Sequence, residues 1–137
     1  MSAFEPGVVI FPKRGAAIFL NRVRILARQA NIDPNLMALQ PKGIIGSFLA
    51  AYLLYFNLST ICDNSGLPQL NNKHIYPMLF PRPSEIEQLA IVERLSAVDD
   101  RVRAEQDELT KLRLIKQGLM EDLLTGRVRV TNLESAA

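Results

Sequence analysis

The chain has one cysteine, Cys62, one histidine, His74, and no tryptophan among its 137 residues. A lone cysteine excludes an internal disulfide and fits a reducing compartment. Neither Cys62 nor His74 has the companions that a metal site or a nucleophilic site needs. Long apolar runs are also missing. The most apolar stretch, residues 44–61, carries no charge but holds Ser47, Asn57, Ser59 and Thr60, and it begins beside Gly43 and Gly46. A membrane span requires about 20 clean apolar residues, which this stretch does not supply. Residues 1–13 contain no apolar signal-peptide segment, so a cytoplasmic location is expected. The marks of catalysis on DNA are absent too. There is no Gly-x-x-x-x-Gly-Lys phosphate loop, and the acids of residues 1–83 are widely spaced. The nearest string to an amino-methylating loop, Asp33-Pro34-Asn35-Leu36, lacks the second proline and the aromatic. No enzymatic activity, no cofactor and no metal are expected.

What is present is enough for one small domain and an arm, since 48% hydrophobic residues can bury a modest core at this length. The net charge of +2 hides an asymmetry. Residues 1–83 hold eight basic residues against Glu5, Asp33 and Asp63, a net +5, whereas residues 84–137 hold eight basic against eleven acidic residues, a net −3. The positive half is the candidate for an anionic partner, and polyphosphate backbones are the commonest such partner.

Val8 to Phe11 is a short apolar run closing on Pro12-Lys13-Arg14-Gly15, which predicts a strand and a turn. Ala16 to Leu26 alternates in its second half, with Val23 and Ile25 on one side and Arg22 and Arg24 on the other, so a half-buried strand with a basic outer face is expected. Asp33-Pro34-Asn35 marks a turn and Leu36 to Leu39 a further strand. Ser47 is placed to cap a helix in which Phe48, Leu49, Tyr52, Tyr55 and Phe56 share a face, with the aromatics expected in the core. Residues 64–72 form a polar loop, and Ile75 to Phe80, interrupted by Pro77, is expected as an edge strand. Short strands with one helix predict an α+β unit.

Pro81-Arg82-Pro83 is a stiff connector. Ser84-Glu85-Ile86-Glu87 then has the form of a capping box, in which Ser84 takes the third helical amide and the Glu87 carboxylate reaches back. No proline or glycine follows until Gly118, and Gly126 is placed as a left-handed stop, so a rod of roughly 60 Å is expected. Ile91, Leu95, Val98, Val102, Leu109, Leu112, Leu119 and Leu123 recur at heptad steps, with Glu105 and Lys116 in the two positions where the register asks for apolar residues. Such a helix needs a partner to cover its stripe. Two copies paired antiparallel about the point between Thr110 and Lys111 would set Glu105 opposite Lys116. The plainer alternative leaves both heads in water at the rim.

In order and spacing these stretches resemble the specificity subunits of type I restriction-modification systems. The resemblance is carried by residues 9–17, by Gly66-Leu67-Pro68-Gln69-Leu70-Asn71, by residues 81–95, and above all by residues 112–128, ending Leu123-Leu124-Thr125-Gly126-Arg127-Val128. It covers about residues 7–130. It implies a partial target recognition domain at 1–80, a connector at 81–83, a helix at 84–126 serving dimerisation and subunit docking, and a tail at 127–137. It also implies double-stranded DNA, the modification (methyltransferase) subunit and, through it, the restriction subunit as partners. Family members have two such units with antiparallel helices. Against that pattern one unit is expected here, with a recognition domain that begins part-way through, and a truncated product, a piece of a split subunit or a dimerising half-subunit are the alternatives.

Lys13 and Arg14 at the basic turn, the strip Arg22, Arg24 and Arg28, and Lys73 are the candidate phosphate contacts, and Gln69, Asn71 and Asn72 carry amides able to pair with adenine. Surface charges in solvent and turn-capping amides are the competing interpretations. A coiled-coil adaptor that binds the modification subunit without touching DNA accounts equally for the helix, but not for the +5 domain.

Overall fold

In the computed structural model, residues 3–130 are described; Met1, Ser2 and residues 131–137, which include most of the expected tail, lie outside them. The chain divides into two compact units, Met1–Arg94 and Leu95–Ala137. The architecture is α+β: a small antiparallel sheet with helices, followed by one long C-terminal helix.

The first unit is organised by β1 (Val9–Pro12), the middle strand of a sheet ordered β2-β1-β3, with β2 at Arg24–Ile25 and β3 at Leu36–Leu39. Val9 pairs with Ile25 on one side and Leu39 on the other, and Phe11 pairs with Met37. Alternation sends Val9 and Phe11 into the core. There they meet Leu49, Ala50 and Leu53 of α1 (Gly46–Phe56), with Ile18, Val23, Leu58, Leu70 and Ile75 closing the cluster. The Asp33 carboxylate accepts from the Asn35 amide at 2.7 Å, making the expected turn into β3.

Four local expectations are corrected. Ala16 to Leu20 is a 3₁₀ turn, not part of a strand, closed by the Ile18 amide on the Gly15 carbonyl and the Asn21 amide on the Ile18 carbonyl. It turns Ile18 inward, and only Arg24 and Ile25 are left to pair with β1. Asn21 ends it in the left-handed region at φ 43, which an asparagine tolerates. Its side chain then staples distant chain, donating to the Leu54 carbonyl at 2.9 Å and accepting the Leu58 amide at 3.1 Å.

Ser47 does not cap α1. The helix starts earlier, at Gly46 with Ile45 as its N-cap, and no side chain of its own caps it. Tyr55 is not core; it is 87% exposed, because the buried face of α1 runs through Phe48, Leu49, Ala50 and Leu53. Tyr52 and Phe56 are half-buried, and Tyr52 meets Phe80 edge-on at 5.4 Å. Ile75 to Phe80 is not a strand. Asn72–Ile75 forms a short helix, α2, and the Tyr76 and Met78 amides return to the Asn72 and Ile75 carbonyls. Local pairing thus satisfies these amides, and Pro77 has none to offer a sheet.

The last helix, α3 (Glu85–Leu124), begins as expected. The Ser84 hydroxyl accepts the Glu87 amide at 3.3 Å, although among the described residues the Glu87 carboxylate makes no return bond. It stops at Gly126, φ 72, where the Gly126 amide meets the Leu123 carbonyl and the Val128 amide meets that of Asp122. No described helix is long and apolar enough to cross a membrane.

The burial pattern predicts a contrast within one helix. Leu53→Ala should lower the unfolding free energy by about 3 kcal/mol, and Tyr55→Ala should change it by less than about 0.5 kcal/mol, both read from urea denaturation of the full chain.

Candidate nucleic-acid interface and the exposed helix face

Beyond Pro12 the chain leaves the sheet but does not leave its neighbours. The Lys13 amide donates to the Asn35 carbonyl, the Leu70 amide to the Lys13 carbonyl, and the Gly15 amide to the Pro68 carbonyl, all at 2.7–2.8 Å. Arg14 bridges Gln69, and Gln69 in turn exchanges two backbone bonds with Asp63. Two segments more than fifty residues apart, the basic turn and the polar loop, are therefore laced together by backbone pairing. The result is a shallow cleft of about 570 Å³ lined by Lys13, Met37, Leu70, Asn71, Asn72 and Lys73. Asn72 and Lys73 of this lining are exposed, as is Arg14 in the adjoining turn.

The cleft is cationic with one acid built into its frame. The Ser65 amide and hydroxyl both donate to Asp63 Oδ1, at 3.0 and 2.7 Å. These bonds, and then the charges of Lys73 and His74, hold the Asp63 carboxyl below its ordinary value of 3.8. The amides are partly committed. Gln69 Nε2 donates to Asn71 Oδ1 at 3.1 Å, so each side chain has part of its amide engaged before any contact to adenine. The Asn71 backbone amide donates to His74 Nδ1 at 3.0 Å, which fixes the loop onto α2.

The other candidate arginines lie elsewhere on the unit. Arg24 sits on β2 opposite Ile10, and its guanidinium turns back to the Val23 carbonyl at 2.9 Å. Arg22 precedes β2. Arg28 belongs to the segment whose Leu26 and Ala30 pair with residues 4–8, beyond the opposite end of β1 from Lys13. Arg24 and Arg28 thus lie apart from the Lys13 turn.

In the second unit the stripe residues Leu95, Val98, Val102, Leu109, Leu112, Leu119 and Leu123 are all exposed. Ile91, at the end of the first unit, is half-buried. Glu105 lies 3.9 Å from Arg101, one turn away, with both side chains largely in solvent. Lys116 stands among Leu112, Ile115, Leu119, Met120 and Leu123 in an apolar groove. Asp100–Arg103 and Glu108–Lys111 pair along the same helix, each worth little in water.

No protein-family model matches the chain. The specificity subunit of the type I restriction enzyme MjaVIII from Methanocaldococcus jannaschii is 32% identical over 87 residues, which cover 60% of this chain and 20% of that subunit. Over that stretch the chain is similar to a type I restriction specificity subunit. In three dimensions it is similar to a chain of a solved structure described as the basis of complex assembly and conformational transition of the type I R-M system. The TM-score is 0.71 at 20% identity, over 89% of this chain and 31% of the other, and shows the shared fold. The chain thus spans about a fifth to a third of the length of the proteins it matches.

The sequence pointed to the two basic segments but not to their union, nor to Asp63, Asn21 or Gln88. Backbone bridges between distant residues leave no local periodicity. Gln88 had one signal: it falls three residues before Ile91, on the side of α3 that carries the stripe.

Asp63 gives the loop a signed pH dependence. A carboxyl depressed by folding contributes stability that is complete above its unfolded pKa, and that contribution is lost as pH falls through the folded value. Melting temperature should therefore drop on acidification below about pH 4, and Asp63→Asn should flatten that limb in thermal melts across pH.

Proposed function

We propose that this chain is a non-catalytic DNA-recognition component of a type I restriction-modification assembly, in which methylation and cleavage belong to other subunits. The observation that carries this reading is the convergence of Lys13 with Asn72 and Lys73 around one cleft, with Arg14 bridged to Gln69 in the same frame, in a chain similar to a specificity subunit. Cations mounted on a backbone-paired frame are positioned for phosphates, which fix register on a duplex. Asn72 is the amide left free for a base edge, with Gln69 and Asn71 held in reserve by their mutual bond. Arg22, Arg24 and Arg28 supply outlying charge. In this proposal residues 1–80 read DNA, residues 81–83 connect, and residues 84–126 form the docking helix.

The helix is proposed to pair antiparallel with an identical helix or that of another specificity fragment, and to present the pair to the modification subunit. What supports this is the row of exposed leucines and valines, which no isolated helix keeps in water without cost. Centred between Thr110 and Lys111, the pair would move Glu105 from its weak contact with Arg101 to Lys116 of the facing helix.

Two measurements test these parts separately. Neutralising several phosphates makes log K fall with log salt, so Lys13→Ala with Lys73→Ala should reduce the salt slope of duplex binding by about two. No duplex binding by the wild type even at about 50 mM salt would leave an adaptor that engages the modification subunit alone. For the helix, Glu105→Lys should weaken self-association about tenfold by sedimentation, since each of two symmetric pairs becomes repulsive. The charge-swapped Glu105→Lys/Lys116→Glu chain should recover it. An unchanged association in the single variant would sink the register.

A further inference from the structure

A second cleft of the first unit shares no residue with the basic one. It has a volume of about 390 Å³ and lies between the chain that follows β3 and the segment that follows α2. Leu39, Ile44, Met78 and Phe80, all half-buried, form its walls, and the buried core residues Leu49 and Ile75 close its floor. Side-chain bonds hold the segment after α2 in place. The Tyr52 hydroxyl donates to the Leu79 carbonyl at 3.3 Å, and Arg82 Nε donates to the Gly43 carbonyl at 3.1 Å. An apolar space of this size with a few polar groups at its edge has the form of a binding pocket.

Those polar groups have one sign. The bond to Gly43 sets Arg82 beside Lys42, so two cations stand at one rim. Both are exposed, and neither makes an ion pair among the described residues. No acid lines the cleft. Glu85 lines a neighbouring cleft that shares Ile44 and Arg82, but the buried polar group there is already spent. Gln88, 2% exposed, accepts the Ile45 amide at Oε1 at 2.7 Å and donates from Nε2 to the Pro83 carbonyl at 2.9 Å. On the segment that forms the far wall, Tyr76 is 80% exposed and Leu79 89% exposed. Tyrosine, methionine and arginine are the side chains that protein interfaces favour.

These features choose among occupants. A duplex backbone would lay charge against the apolar walls, and a small anion would leave them in water. A peptide with a large apolar side chain covers the walls, and carboxylates beside that side chain complement the two unpaired cations. We propose that this cleft docks an acidic peptide segment of another protein, with one large apolar side chain between the walls and flanking carboxylates at Lys42 and Arg82. Because both cations stand in water, the carboxylates select the partner, while the buried apolar side chain supplies most of the affinity. The site is separate from DNA reading, whose proposed cations lie on the other cleft.

The test selects short random peptides by display on the full chain and measures their binding by fluorescence anisotropy. Selected peptides should pair a leucine, phenylalanine or methionine with neighbouring acids, and on titration they should shift the methyl resonances of Ile44, Ile75 and Met78. Lys42→Glu and Tyr76→Ala should each weaken binding roughly tenfold. Both side chains are exposed, so an unchanged melting curve is the control for folding. Peptides without acids, peptides that bind Lys42→Glu as well as the wild type, or peptides that leave those methyls unmoved would overturn the proposal. Displacement of the peptide by duplex DNA would assign the cleft to nucleic acid, and self-association weakened by Lys42→Glu in sedimentation would assign it to a second copy; either result also overturns it. Failure of the wild type to bind DNA at all would sink the recognition function and leave this site untouched.

Discussion

The run from Phe4 to Gly15 is hydrogen-bonded to other parts of the chain along most of its length, and the first unit depends on that continuity. Phe4 and Gly7 bond the segment Leu26 to Ala30, Val9 to Pro12 pair with β3 and in part with β2, and Lys13 and Gly15 meet Leu70 and Pro68. Central placement gives β1 partners on both edges and buries Val8, Val9 and Phe11 completely or nearly so. The same continuity decides where charge goes. Lys13 and Arg14 follow Phe11 without a break, so the strand that anchors the core also delivers the cations to the polar loop.

The second unit obeys the opposite rule. Its helix buries almost nothing of its own, and its ion pairs join residues three and four apart with their side chains largely in solvent. Such pairs contribute roughly 0.3–0.5 kcal/mol each, too little to offset an exposed row of leucines and valines. A compact unit that carries its own core is thus followed by a helix whose apolar residues are exposed.

Polar side chains at joints account for much of what the residue pattern concealed. Asn21 and Asn57 adopt left-handed backbone, and Asn21 links the 3₁₀ turn to the end of α1. Gln88 takes the amide of Ile45, the N-cap of α1, from 43 positions away. Each of these looked unremarkable in the sequence, because a side-chain amide can cap a turn, join two segments or face solvent, and only its neighbours determine which.

What the sequence determined by itself is everything governed by local periodicity and chain stiffness. The strands at Val9 and Leu36, the apolar helix after Gly43, the start of α3 at Ser84 and its stop at Gly126 follow from alternation, turn chemistry, capping and the heptad step. The tertiary structure alone decided the rest. It folded Ala16–Leu20 into a turn so that Ile18 could be buried, it made Asn72–Ile75 a helix by satisfying its amides locally, and it brought residues 13–15 against 68–73. The physical reason is range: a periodic pattern encodes which face of an element is apolar, whereas the pairing of remote backbone groups depends on where the core puts them.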